Sequence, residues 1–151
     1  MKVNSSVKCV LLSTCLVLFA SAASFAQKVA NYSFGKYGTA EYEHFSFWTK
    51  AGKRTEVNYT YGKDGKELAA KYLGTGIYKQ QKCFKVELTG KCIVYIVPLG
   101  TKLQVAALTK NYHNVFNWEY EGPVNGLGSF CDACAEDEKE AISIIKESYL
   151  K

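Results

Sequence analysis

Four cysteines beyond residue 26 are the side chains with the most obvious chemistry in this sequence. Cys131 and Cys134 form a Cys-x-x-Cys pair near the carboxyl terminus, and Cys83 and Cys92 are separated by eight residues. The Cys-x-x-Cys spacing suits thiol–disulfide exchange when the first thiol lies in the opening turn of a helix, because the helix dipole favours a thiolate there. Asp132 and three acids that follow Cys134 oppose this effect, so the sequence favours a structural disulfide over redox catalysis.

An even number of cysteines in an exported chain predicts disulfide bonds, and four cysteines allow three pairings. If Thr89-Gly90 is a two-residue turn, Cys83 and Cys92 share a sheet face but lie about 13 Å apart, whereas a disulfide needs Cα atoms within about 7 Å. A bridge from Cys131 or Cys134 to either of them would join the tail to the sheet, and a Cys131–Cys134 bridge stays open. We predict all four as disulfide cysteines and no metal site, since zinc would need a second closely spaced pair.

The sequence contains no set of residues that predicts catalysis. His44 and His113 are the only histidines, and no serine lies in a tight glycine-flanked turn that would aim it at one of them. We therefore predict no catalytic residue and no cofactor. A thiol–disulfide oxidoreductase that uses Cys131 and Cys134 is the alternative from another class.

An aromatic pair beside a glycine-rich loop is the predicted binding face. Trp118 and Tyr120 alternate at the end of a predicted strand, and the loop 122–128, which contains Asn125, follows them. Aromatic side chains with a polar tip suit binding surfaces. The predicted ligand-binding residues are Trp118, Tyr120 and Asn125, and the predicted partner is a protein, a glycan or a small apolar ligand.

The first 26 residues predict export. Two lysines precede an apolar stretch over 9–19, and small residues then lead to Ala26, which suits cleavage by a signal peptidase. Lipidation at Cys15 or a membrane anchor is the alternative, but the apolar stretch is shorter than the about 20 residues that a spanning helix needs. We predict a secreted or periplasmic protein with one mature domain, 27–151, and no membrane span after cleavage.

Charge argues against nucleic acid as a partner. Removal of the two lysines in the signal peptide lowers the net charge from +5 to +3. The remaining lysines are scattered among acidic residues, whereas a nucleic-acid-binding protein concentrates basic residues on one face. We predict no nucleic-acid partner.

The elements that must position these residues are mostly strands. Alternating apolar residues predict strands over 55–61, 103–108 and 115–121, and a hairpin over 82–98 that turns at Thr89-Gly90. Strands spaced about ten residues apart with glycine at the turns predict an antiparallel barrel or sandwich. The segment 67–73 is ambiguous between strand and helix, although flanking glycines favour a strand.

One helix is predicted at the carboxyl terminus, over about 129–149. Ser129 is the predicted N-cap, and Ile142, Ile145 and Tyr149 lie on one stripe that would pack on the strands. The predicted class is mainly β (α+β), a barrel or sandwich closed by one C-terminal helix. The favoured function is a non-enzymatic binding protein, and an envelope structural component is a further alternative.

Overall fold

A computed structural model describes residues 27–49, 56–108, 111–120 and 133–151. The described elements are eight strands and one helix: β1 (Lys28–Phe34), β2 (Glu43–Thr49), β3 (Glu56–Tyr61), β4 (Lys66–Tyr78), β5 (Gln81–Leu88), β6 (Cys92–Leu99), β7 (Lys102–Ala107), β8 (Tyr112–Trp118) and α1 (Glu138–Tyr149). The predicted signal peptide, 1–26, lies outside the described residues. Within the described ranges, no helix is both long enough and apolar enough to cross a membrane.

The eight strands form a closed antiparallel barrel in which each strand pairs with its neighbours in sequence and β8 returns to β1. The predicted class, mainly β with one C-terminal helix, is confirmed, and the architecture is a barrel rather than a sandwich. The ambiguous segment 67–73 lies within β4, which is 13 residues long. Its first part pairs with β3 and its remainder pairs with β5, so this strand turns the corner of the barrel.

Strand alternation fills the interior with apolar side chains, because every second residue of a strand faces the same side. Eight strands leave a lumen just wide enough for side chains to fill. Phe45, Phe47, Phe84 and Phe116 are fully buried there, and their rings contact one another at centroid distances between 5.3 and 5.6 Å. The middle of the barrel is therefore a packed aromatic core.

The β5–β6 hairpin is shifted by one residue from the predicted register. Its turn holds three residues, with Gly90 at φ 74° and the Lys91 amide donating to the Leu88 carbonyl at 2.9 Å, so that Leu88 pairs with Cys92. A shift of one residue moves every following side chain to the opposite face. Cys92 therefore faces the barrel interior with Leu88, whereas Cys83 faces outward.

This register separates two of the predicted disulfide cysteines. Cys83 and Cys92 are both free thiols in the structure, so the predicted bridge from the tail to either of them is not formed. Cys83 is completely buried on the outer wall in a small cluster with Tyr78 and Val97. Cys131 lies outside the described residues, and its pairing with Cys134 stays a prediction.

The helix begins later than predicted. Asp137 is its N-cap and accepts hydrogen bonds from the amides of Lys139 and Glu140, in place of the predicted Ser129. Cys134 forms a parallel bridge with Val29 of β1, where the Val29 amide donates to the Ala133 carbonyl at 2.8 Å. Cys134 therefore precedes the helix instead of lying in its first turn.

Helix α1 crosses one end of the barrel, and the predicted stripe of Ile142, Ile145 and Tyr149 is buried as expected. Twelve residues give the helix a length of about 18 Å. Near its start Lys28 pairs with Glu140 at 3.0 Å. At its end the Tyr149 hydroxyl donates to the carbonyls of Trp48 and Glu56, at the end of β2 and the start of β3. We call this the helix end.

Candidate functional site

Two of the predicted binding residues, Trp118 and Tyr120, lie at the helix end. Trp118 faces inward at the end of β8 and packs against the core, and Tyr120 follows it with 59 % of its surface exposed. The two rings are neighbours, with centroids 5.9 Å apart. Asn125 lies outside the described residues. The binding role of all three residues stays a prediction.

The opposite end of the barrel carries polar side chains that face inward, and we call it the Glu43 end. Glu43 is in register with Phe34 on β1 and Tyr61 on β3, and it shares the inward face of β2 with Phe45 and Phe47. Asn114 alternates in the same way with the inward residues of β8. The apolar lining of the barrel therefore ends in a carboxylate and an amide.

Three side chains from two strands hold the Glu43 carboxylate. The hydroxyls of Tyr59 and Tyr112 both donate to Oε2, the first at 2.8 Å. Asn114 Nδ2 donates to Oε1 at 3.3 Å. A carboxylate offers about four acceptor positions, so this arrangement fixes the group and leaves one position on Oε1 for an external donor.

The surroundings keep both phenols protonated. Burial raises the pKa of Tyr59 well above its usual range, and the charge of Glu43 and the hydrogen bond to it raise it further. Burial likewise raises the pKa of Tyr112, with the hydrogen bond to Glu43 and its charge adding to the effect. The two hydroxyls are therefore fixed donors, and neither is a general base at neutral pH.

A cleft opens in the barrel wall beside this cluster. β3 and β4 pair only from Asn58–Ala69 to the hairpin turn, and β4 then leaves β3 to pair with β5. The gap has a volume of ≈ 460 Å³ and is lined by Val57, Asn58, Tyr59, Glu67, Leu68, Ala69 and Ala70. Small alanine side chains on β4 leave this space open. Its size lies within the range of small-molecule sites, and Tyr59 joins it to Glu43.

The β5–β6 turn places a cation on the tyrosines of the Glu43 end. Lys91 Nζ lies 3.1 Å from the ring centroid of Tyr61 and 5.7 Å from that of Tyr59. The two rings are nearly parallel, at an angle of 13°. Cys92 follows Lys91 and lines a second, shallower hollow of ≈ 250 Å³ with it.

The Glu43 end brings together groups that can make non-covalent contacts. It combines fixed donors, one carboxylate, aromatic faces and a cleft. No group of three histidine, cysteine or acidic side chains that could hold a metal ion occurs in the described part of the chain. The free thiol of Cys83 is not part of this site, and burial raises its pKa, which lowers the fraction present as the nucleophilic thiolate.

Sequence reasoning missed Glu43, Tyr112 and Asn114, although a signal was present. Glu43 lies in phase with Phe45 and Phe47, and Tyr112 and Asn114 lie in phase with Phe116. A charged or amide side chain in phase with inward aromatic residues must be buried with partners, because an unpaired buried charge is costly. What the sequence does not contain is the contact between the side chains of β2 and β8 across the barrel mouth.

Comparison of the chain with protein-family models, curated proteins and solved structures finds no match. The fold and site define the protein by class: a small eight-stranded antiparallel β-barrel that is closed at one end by its C-terminal helix. A carboxylate–tyrosine cluster lies at its other end, beside a cleft in its wall.

Proposed function

We propose that this protein is a secreted or periplasmic, non-enzymatic binding protein that holds a small amphipathic ligand at the Glu43 end. The observation that carries the proposal is the half-buried Glu43 carboxylate, held by Tyr59, Tyr112 and Asn114 next to a cleft of ≈ 460 Å³. An apolar cavity with a few fixed polar groups is the usual form of a small-ligand site.

The packing of the barrel supports this location. The middle of the lumen is filled by phenylalanine rings, and Tyr149 packs against two of them from the helix end. The cleft between β3 and β4 offers apolar surface from Val57, Leu68 and Ala70 for the body of a ligand. Glu43 then accepts a hydrogen bond from its polar group.

The experiment uses N-phenyl-1-naphthylamine, a neutral apolar probe that carries one N–H donor. We expect its fluorescence to rise on binding, and we expect the amide resonances of Tyr59, Leu68 and Ala70 to shift in a ¹H–¹⁵N spectrum of the mature domain. The probe should be recovered chemically unchanged. Absence of binding, or shifts confined to Trp118 and Tyr120, would contradict the proposed site.

A matched pair of variants tests the polar part of the site. Glu43→Gln removes the charge and replaces one acceptor oxygen by an NH₂ donor, and we expect weaker probe binding. Glu41→Gln makes the same change on an exposed carboxylate that does not line the cleft, and we expect little effect. Equal binding by both variants would show that Glu43 takes no part in recognition.

A further inference from the structure

We infer that the Glu43 end recognises the alkylammonium group of a small organic cation, and that Lys91 occupies this position in the absence of the ligand. The inference rests on the proposed function and adds the chemical class of the ligand. It is carried by the juxtaposition of the Tyr61 and Tyr59 ring faces, the Glu43 carboxylate and the Lys91 ammonium.

The first step is the position of the Lys91 ammonium. Nζ lies 3.1 Å from the centroid of the Tyr61 ring, within the distance at which the negative face of an aromatic ring attracts a cation. Lys91 forms no ion pair with any carboxylate in the described part of the chain, in contrast to Lys28, which pairs with Glu140. The ring faces are therefore what holds this cation.

The second step is the carboxylate beyond the rings. Tyr59 stacks on Tyr61 with centroids 5.9 Å apart and donates its hydroxyl to Glu43. A phenol that donates a hydrogen bond to a carboxylate carries more electron density on its ring, which strengthens the attraction of the ring face for a cation. Aromatic faces are the chemistry that recognises methylated and quaternary ammonium groups.

The third step is the mobility of the present occupant. Lys91 belongs to the three-residue β5–β6 turn and is exposed, and its charge is carried on a flexible four-carbon stem. It can leave the rings without disturbing the strands. The cleft beside Tyr59 then accommodates the apolar body of the ligand, which Lys91 itself does not fill.

The test compares choline with 3,3-dimethylbutan-1-ol, a neutral molecule of the same shape, by isothermal titration calorimetry. We expect Lys91→Ala to bind choline about two- to fivefold more tightly than the wild type. The substitution removes the lysine ammonium that competes with choline for the Tyr61 ring, and an exposed cation–π contact has a strength equivalent to this change in affinity. Lys63→Ala removes a turn lysine at the same end that has no cation–π contact within the described part of the chain, and it controls for the loss of charge. The neutral molecule should bind at least about fivefold more weakly than choline.

Two further variants separate recognition from folding. Tyr61→Phe keeps the ring and should keep choline binding, whereas Tyr61→Leu should lose it by about fivefold or more. If Tyr61→Leu does not fold, Glu43→Gln takes its place, with an expected loss of the same size. Vesicles of phosphatidylcholine test whether the ammonium group belongs to a lipid headgroup or to a free molecule. Because the cleft is exposed, we expect free choline to compete with the vesicles for the protein.

The inference is overturned if Lys91→Ala binds choline no more tightly than Lys63→Ala does. It is also overturned if the neutral molecule binds as well as choline. Continued binding of N-phenyl-1-naphthylamine in the cleft, with no choline binding, would reject the ammonium group and leave the proposed binding function standing. Loss of both ligands would reject the two proposals together.

Discussion

The two ends of this barrel are built from the same inward strand positions but differ in what completes them. At the helix end, the Tyr149 ring packs against the rings of Phe47, Phe84 and Tyr72. Its hydroxyl forms hydrogen bonds to two backbone carbonyls. At the Glu43 end, the tyrosine hydroxyls donate hydrogen bonds to a carboxylate, and a cleft lies beside them. We therefore expect the helix end to contribute mainly to stability, and we propose that the polar groups of the Glu43 end contact a ligand.

The largest expected effect is on the helix end. Tyr149 is fully buried, so Tyr149→Ala should lower the free energy of unfolding by about 3–5 kcal/mol, as for other aromatic-to-alanine changes in cores. Tyr149→Phe keeps the ring contacts and should lose only about 1 kcal/mol for the hydroxyl. Urea unfolding measures both. A similar loss for the two variants would show that the ring packing is unimportant.

A smaller loss is expected at the Glu43 end. Glu43→Gln brings an NH₂ group among three donors and should lower the free energy of unfolding by about 1–3 kcal/mol. Tyr112→Phe removes one of those donors, and the double variant should lose less than the sum of the two single variants. Additive losses in urea unfolding would mean that the contact between Glu43 and Tyr112 contributes no stability.

Alkaline pH provides a third comparison. Burial raises the pKa of Tyr59, Tyr112 and Tyr149 above the usual 10.0, so above pH 10 the unfolded chain loses these protons first. The stability that the protonated phenols contribute is present below pH 10 and decreases as the pH rises beyond it. We expect Glu43→Gln to bring the titration of Tyr59 and Tyr112 to lower pH and to leave Tyr149 unchanged, as measured by tyrosinate absorbance.

The smallest expected effect concerns the two free thiols. Cys92 lines the hollow at the Glu43 end, whereas Cys83 is completely buried on the outer wall. In the native state Ellman's reagent should react with Cys92 first and with Cys83 much more slowly; in guanidinium chloride both should react quickly. Faster native reaction of Cys83 would contradict its burial against Tyr78 and Val97 on the outer wall.

The sequence predicts local elements of this protein better than it predicts long-range contacts. Alternation identifies most strands, and the stripe of Ile142, Ile145 and Tyr149 identifies the helix, because both signals lie within one element. The face of Cys92 was mispredicted because one extra turn residue reverses every side chain after it. That error in turn length placed Cys92 on the outer face, where a bridge to the tail could have formed; the structure has Cys92 as a free thiol that faces inward.

The start of the helix and the site were harder to predict for a related reason. Ser129 and Asp137 both suit an N-cap, and the choice depends on the pairing of 133–135 with β1, a contact between distant parts of the chain. The Glu43 cluster joins β2, β3 and β8 in the same way. Such contacts follow from barrel closure, which alternation alone does not specify.

The central claim is that the Glu43 end, and not the helix end, binds the ligand. The most direct test is the binding of N-phenyl-1-naphthylamine to Leu68→Trp, which fills the cleft, and to Tyr120→Ala, which removes the exposed ring at the helix end. We predict that the fluorescence rise is lost in Leu68→Trp and unchanged in Tyr120→Ala. Unchanged binding in Leu68→Trp together with lost binding in Tyr120→Ala would contradict the account.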